Sequence, residues 1–511
     1  MSKTLVVGLD GASWRLLDPW IAGGELPNLA ALRESSSWAR TESCLPPVTF
    51  PNWKCYSSGK NPGGFGVYWF EHVDLDAGEI SVTNGSDYHT AELWDYLNDD
   101  GQRTGIVNMP TMYPPRDIDG PIVCGGPDAV EGEYRSIESG YATPEGLVEE
   151  LAERFDYQVH PDPLLSSNEE RGEEIDAILD LLDLRFEVAL SLMKERDLDF
   201  VHVTLFYLNV LQHFFWDDEP TLRAWKRIDE WIGRLDDRDD LNLVLMSDHG
   251  CDATTTEFYI NEWLAENGYQ SRTTSVDNVF QRVGLDRENV LSLAKRMGAV
   301  DFLAKVVPER IQQMVPQRAG VKRARKLEAI DLPNTKAVAS AQGPIYLNPD
   351  FNTDTVREEL IADLRAVEDE AGPLFDDVFN GEDVYSGPYA DEAPEVVLNQ
   401  RDGVHVNDGV GGGNIRTDPD RWRAENTLNG IFVASGPDFE ENGQLDQIRI
   451  LDMAPTLLAA HGCDVPTDMD GEVLPIAGNV GTREPITLDD ADTERAGEEI
   501  EDRLKDLGYM E

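Results

Sequence analysis

Three residues able to hold a metal ion follow two apolar runs that lie far apart in the chain. Asp10 comes after Leu5 to Leu9 and before Gly11; Asp248 and His249 come after Leu241 to Met246 and Ser247, and before Gly250. Runs of this kind read as buried strands. Buried parallel strands present their C-terminal ends to one crevice. Two carboxylates and an imidazole delivered there are the donor types of a divalent-cation site. Taken singly, an Asp between a strand and a Gly also suits a helix cap.

A hydroxyl that such an ion could activate is Thr49, in Pro46-Pro47-Val48-Thr49-Phe50-Pro51-Asn52-Trp53. The prolines fix the approach, and residues 52–58 can open a helix whose first amides suit an anion. A threonine oxygen beside a divalent cation is a nucleophile for phosphoryl transfer. On local sequence alone the same residue reads as an N-cap or a loop threonine. Asn209 and His213 are four residues apart, so they share a face if that segment is helical. Asn can offer its carbonyl oxygen to a cation, whereas a histidine in isolation is more often packed or capping.

The elements that must position these residues alternate between strand and helix. Strands are expected at 3–9, 104–108, 200–205 and 241–246, and helices at 13–22, 27–35, 146–155, 172–195 and 219–236. That order predicts an α/β fold with a mostly parallel sheet covered on both faces. Residues 252–345 are mixed in character, and 252–335 is read as a cap or insertion. Strand-like segments return at 336–340, 343–347, 395–398 and 430–434, and a helix at Met453–His461 closes the fold. The catalytic core is thus expected from 1–251 and 336–480, with an acidic tail or helix at 481–511.

The chain has 511 residues, 41% of them hydrophobic, which suits a large globular core. Asp and Glu number 98 against 43 Lys and Arg, a net charge of -55 spread along the whole length. Such a field opposes broad nucleic-acid backbone binding. It also suits a halophilic protein that works in concentrated salt, the alternative being a merely acidic one. The basic patch Arg318 to Lys326 is read as pairing with neighbouring acids or forming a local anion surface. Five cysteines without a C-x-x-C spacing argue for a reducing compartment. No signal peptide or membrane span is visible, so a cytoplasmic location is expected.

The motifs together resemble the type I phosphodiesterase/nucleotide pyrophosphatase family of the alkaline phosphatase superfamily. The stretches that carry the likeness are GLDGA at 8–12, PPVTFPNW at 46–53, SSGKNPG at 57–63, NVLQHFFW at 209–216, SDHG at 247–250 and LDMAPTLLAAHGCDVPTDMDG at 451–471. The resemblance implies an alkaline-phosphatase-like sheet, divalent metal (zinc or manganese) and a small-molecule phosphate ester or anhydride as substrate. Mapped by motif, Thr49 takes the nucleophile position, and Asp10, Asp248 and His249 take the ligand positions of the activating metal. His213 takes one position of a second metal. Asn209 stands where the family usually has Asp, and Asn426, in Asn426-Thr427-Leu428-Asn429-Gly430, stands where it usually has His. Phe65 replaces a common His-Gly pairing.

Exchanging Asp and His for Asn weakens the second site for zinc. One firm and one weak or absent metal site are therefore expected. A further cation would then have to steady the phosphoryl oxygens. Lys54, five residues after Thr49, is the candidate, with Lys60 behind it; taken alone, either reads more readily as a surface charge. His405 lies in the loop 399–420, whose glycines lack a phosphate-loop pattern. Trp53, Tyr68, Trp69, Phe214 and Trp216 could wall a base or sugar, although such aromatics are usually core. The expected activity is metal-dependent hydrolysis of phosphodiester or pyrophosphate bonds, possible substrates being a nucleotide or nucleotide-sugar. Two alternatives stay open: a phospho-group transferase acting on a sugar or lipid head group, and an inactive binding protein that keeps the fold.

The charge reading has a direct test. Raising salt from about 0.1 M to 1 M shortens the Debye length from about 10 Å to about 3 Å. The melting temperature should then climb steadily with KCl, because screening relieves self-repulsion. A flat or falling profile would mark an ordinary acidic protein.

Overall fold

The computed structural model describes residues 2–488, apart from 127–139, 162–171, 237, 239, 274–325 and 420. The basic patch before Lys326 and the acidic tail beyond 488 lie outside these residues. Lys326 itself is buried and pairs with Asp408 at 2.6 Å.

A nine-stranded sheet carries the architecture. Its strands are β1 (Lys3–Gly8), β2 (Ser37–Glu42), β3 (Thr104–Val107), β4 (Ile122–Val123), β5 (Ala142–Thr143), β6 (Phe200–Thr204), β7 (Leu241–Met246), β8 (Asn429–Ser435) and β9 (Ile448–Arg449). Their order in space is β9-β2-β8-β7-β1-β6-β3-β4-β5. The block β7-β1-β6-β3-β4 is parallel throughout, while β8 runs against both β7 and β2. β1, β6 and β7 have no exposed residue, which is why they read as predominantly apolar runs.

Five helices position or flank the strand ends: α1 (Thr49–Ser58), α2 (Gly172–Glu195), α3 (Phe206–Phe215), α4 (Glu219–Asp236) and α5 (Met453–Ala460). α2 buries Ile175, Ile178, Leu179, Leu182, Phe186, Ala189 and Met193, the spacing of one helical face. It packs on β3 and β6 with α4 beside it, whereas α1 and α5 pack together in a separate group. The sheet is thus flanked by helices, as the alternating pattern predicts.

A second, smaller core lies around Phe258, Ile260, Leu264, Ile345, Leu360, Val378, Leu398 and Val406. Its four-stranded antiparallel sheet orders Ala337–Ala339, Pro344–Leu347, Val396–Gln400 and Phe375–Asn380. This core draws on chain from both sides of residue 335: residues 258–269 of the insertion expected at 252–335 contribute to it, and 274–325 lie outside the described residues. The rest of its residues come from the stretch expected to rejoin the catalytic core.

Close backbone approaches hold the strand ends. A Cβ on Gly250 would lie 2.1 Å from the Asn429 carbonyl oxygen, and one on Gly430 would lie 2.3 Å from Ser247 Oγ. Neither position has room for a side chain. Gly250→Ala should therefore cost about 1–3 kcal/mol in denaturant unfolding of the metal-free protein, as overpacking does. An unchanged midpoint would show that the strand ends yield easily.

Candidate metal and nucleophile site

Register brings the first two ligands together. β1 and β7 pair Gly8 with Met246, and the Leu9 N–H donates to the Met246 carbonyl at 2.7 Å. Asp10 and Asp248 each stand two residues further on, so they leave the sheet side by side. Gly11 follows in the left-handed region at φ 69°, and a Cβ there would meet Asn209 Oδ1 at 2.3 Å. Only glycine fits that turn. Thr49 arrives from the end of β2 and opens α1 after an extended Val48.

The donor atoms converge. His249 Nε2 lies 3.2 Å from Asp248 Oδ2, 3.7 Å from Asp10 Oδ1 and 3.4 Å from Thr49 Oγ1. Asp10, Asp248 and His249 form the one such cluster among the described residues, and all three are fully buried. Each carboxylate has one oxygen tied and one free: Trp53 Nε1 donates to Asp10 Oδ2 at 3.0 Å, and the Gly11 amide donates to Asp248 Oδ1 at 3.2 Å. Asp10 Oδ1 and Asp248 Oδ2 have no hydrogen-bond partner. His249 Nδ1 faces the Gly250 carbonyl at 2.9 Å, so its proton sits there and Nε2 offers a lone pair.

Charge explains what this arrangement needs. Burial pushes the Asp10 carboxyl up to about 7. Burial, joined by the neighbouring Asp10 charge, raises Asp248 well above the usual range. Burial takes His249 down to about 3, so the ring is neutral near pH 7. Two acids that cannot both ionise alone, two orphaned oxygens and a free imidazole lone pair fit a divalent cation.

Asn209 and His213 lie on α3, which packs against the short strand that carries Asn426. The Asn209 side chain reaches Gly11 and adjoins Asp10. His213, on the same helix α3, is buried, with Nδ1 at 2.8 Å from the Ala424 carbonyl and its ring stacked on Trp422. Asn426 lies on a short strand, Ala424–Thr427, that pairs Cys251 with Asn426. Asn209 Oδ1 and Asn426 Oδ1 are both buried without a partner. Glu425, the residue before Asn426, is already occupied by His405, Trp422, Gln342 and the Asn426 amide. Burial opposes a charged His405, but Glu425 outweighs it and raises the pKa.

Other expected residues have different partners. The Lys54 ammonium is buried against Glu92 at 2.8 Å, and Lys60 bonds Thr90 at 3.0 Å and pairs with Asp468. Neither is left as an uncommitted cation beside Thr49. Phe65 is packed against Tyr88 in the core. Tyr68 and Trp69 are also buried, and Trp53 serves as a hydrogen-bond donor to Asp10. A cleft of about 1000 Å³ lies beyond the far end of α1, lined by Lys60, His89, Arg116 and Tyr389 among others, and contains none of the metal donors.

Several supporting residues escaped sequence reasoning. Asn52 locks the turn before Thr49: its Oδ1 accepts from the Cys44 amide at 2.8 Å, and its Nδ2 donates to the carbonyls of Pro46 and Val48 at 2.9 and 3.0 Å. Ser43 Oγ donates to the Asp248 carbonyl at 2.7 Å, and Gln212 Nε2 donates to the carbonyls of Asp10 and Gly11. Only the FPN run hinted at Asn52; the other bonds join distant segments and leave no local pattern.

The raised acids make metal binding proton-linked. An ion entering the site must displace a proton from the Asp10–Asp248 pair, so zinc affinity should fall as pH drops below about 7. Calorimetry in buffers of different ionisation enthalpy should detect the released proton. Without metal the sign is opposite for folding. Asp10 is higher folded than its unfolded value of about 3.9, so its contribution is full below pH 4 and is lost as pH rises through about 7. A pH-independent affinity would contradict this.

Comparison with known proteins identifies the family and the fold. The family model described as type I phosphodiesterase / nucleotide pyrophosphatase matches residues 4–422. No curated protein matches the sequence. Among solved structures, phosphonoacetate hydrolase from Sinorhizobium meliloti bound to phosphonoformate is 14% identical, with 89% of this chain and 94% of that chain covered and a TM-score of 0.57. The same enzyme bound to phosphonoacetate is 15% identical, with the same coverage and a TM-score of 0.56. Murine ectonucleotide pyrophosphatase / phosphodiesterase 5 is 12% identical over 93% of this chain and 97% of that chain, with a TM-score of 0.49. The likeness to phosphonoacetate hydrolase is of fold; the match of the family model over most of the chain is of sequence. The chain belongs to the type I phosphodiesterase/nucleotide pyrophosphatase family of the alkaline phosphatase superfamily.

Proposed function

We propose that the protein is a metal-dependent hydrolase of phosphodiester or pyrophosphate bonds in which Thr49 is the nucleophile. The observation that carries this is the placement of Thr49 Oγ1 3.4 Å from His249 Nε2, beside two carboxylate oxygens that nothing else satisfies. Asp10, Asp248 and His249 would hold one divalent ion, zinc or manganese. Bound there, the ion supplies Lewis acidity that lowers the pKa of a neighbouring hydroxyl.

The chain's own residues do the rest. Asn52 holds the Cys44–Val48 turn, so Thr49 enters the site with its orientation set. The start of α1 presents backbone amides toward an anion next to it. Thr49 loses its proton to solvent, and its oxygen forms a bond to phosphorus as the bond to the leaving group breaks. Water then attacks the phosphothreonine, restoring the hydroxyl and releasing the phosphoryl product.

The second group, Asn209, His213 and Asn426, has two neutral amide oxygens and one imidazole where a strong zinc site has carboxylate or further histidine. It supports a weak second site or none. Stabilisation of the leaving group is then the poorest part of the machinery. A substrate with a good leaving group, such as a nucleotide or nucleotide-sugar, fits best, and a simple monoester fits worst.

Thr49→Ala should lower kcat on an activated diester by about a thousandfold or more while zinc binding persists. Chelation should abolish turnover, and zinc or manganese should restore it. Hydrolysis should favour a nucleotide-sugar over an alkyl monoester. No turnover with any metal would favour a binding protein, and turnover only with an added alcohol acceptor would favour a transferase.

A further inference from the structure

We propose that Trp53 is a positioning residue for the metal: its indole N–H, fixed on Asp10 Oδ2, holds the carboxylate so that Oδ1 faces the ion. The inference rests on the metal reading above and adds a residue that the chemistry of the donor set does not itself name.

Trp53 lies four residues after Thr49 on α1, one helical turn along the same face. One rigid helix therefore presents the nucleophile at its first turn and the Asp10 donor at its second. The indole is fully buried, and its Nε1 is 3.0 Å from Asp10 Oδ2. Such a bond does not come automatically with burial. The indole nitrogens of Trp69, Trp94 and Trp225 are also buried, and they have no hydrogen-bond partner.

The ring is held from the sides as well. Gly8, the last residue of β1, leaves the space that the indole fills: a Cβ there would lie 2.5 Å from Trp53 Cη2 and 2.9 Å from Cζ3. Tyr56 and His202 meet the ring edge-on, with centroids 6.1 and 5.5 Å away. His202 is itself fastened, with Nδ1 at 3.1 Å from the Tyr56 hydroxyl and Nε2 at 2.7 Å from Thr204 Oγ1. The indole thus cannot swing away from Asp10 without moving β1 or β6.

The two ligand carboxylates are held alike, one oxygen tied and one free. For Asp248 the tie is a backbone amide, that of Gly11. For Asp10 it is a side chain, so it can be removed. Loss of the indole N–H would leave Oδ2 buried and unsatisfied, and the carboxylate would be free to turn toward another donor. Outer donors of this kind typically govern metal affinity by about 10–100-fold.

The test is calorimetric titration of the metal-free full-length protein with zinc, in wild type, Trp53→Phe and a variant with 3-benzothienylalanine at position 53. The last keeps the bicyclic shape and replaces N–H by sulfur, so it decides the matter if Trp53→Phe fails to fold. Asp10→Asn serves as the control for the site itself. Both Trp53 variants are expected to bind zinc about 10–100-fold more weakly, with the thermal midpoint of the benzothienyl protein close to wild type. Wild-type affinity in the benzothienyl protein would overturn the inference and leave the metal reading intact. Failure of the wild type to bind zinc, or full binding by Asp10→Asn, would overturn both.

Discussion

Two carboxylates buried side by side set the terms for everything else in this structure. Asp10 and Asp248 leave adjacent strands at the same level, with no exposure to water and one unsatisfied oxygen each. Solvation is lost to both, so they cannot share full negative charge without a cation. A neutral imidazole and a hydroxyl complete the ring of donors. A single divalent ion would satisfy all four, and bound there it would supply the Lewis acidity that lowers the pKa of the hydroxyl.

The scaffold maintains this arrangement through bonds that hold the inactive atoms. Trp53 and the Gly11 amide occupy the outer carboxylate oxygens, the Gly250 carbonyl occupies His249 Nδ1, and Asn52 fixes the turn before Thr49. The neighbouring group around His213 shows the contrast. There the amides of Asn209 and Asn426 carry no charge, and Glu425 is consumed by its own partners. The second group therefore has buried amide oxygens without partners but no uncommitted carboxylate charge for a cation to balance.

Much of this was legible in the sequence because the key residues follow predominantly apolar runs. β1, β6 and β7 are buried on both faces, so their composition alone marks them, and the residue that follows each run is delivered to the sheet edge. β2 was missed for the converse reason. Ser37–Glu42 alternates buried and outward-facing residues, with Arg40 and Glu42 outside, and it pairs in a register set by residues 429–434. The second core was blurred because its pairings join residues 258–269 to strands as far on as 404–406. Lys54 illustrates the limit at the site. A lysine near a nucleophile suggests an oxyanion partner, but its ion pair is with Glu92, thirty-eight positions away. Trp53 was visible only as an aromatic, since its bond to Asp10 spans forty-three positions.

Anomalous diffraction at the zinc edge, from crystals of the full-length protein grown with zinc, addresses the central claim most directly. The account predicts one strong peak within bonding distance of Asp10 Oδ1, Asp248 Oδ2 and His249 Nε2, adjacent to Thr49 Oγ1, and a weaker peak or none among Asn209, His213 and Asn426. A strong peak at the second group alone, or no peak among the first four residues, would contradict it.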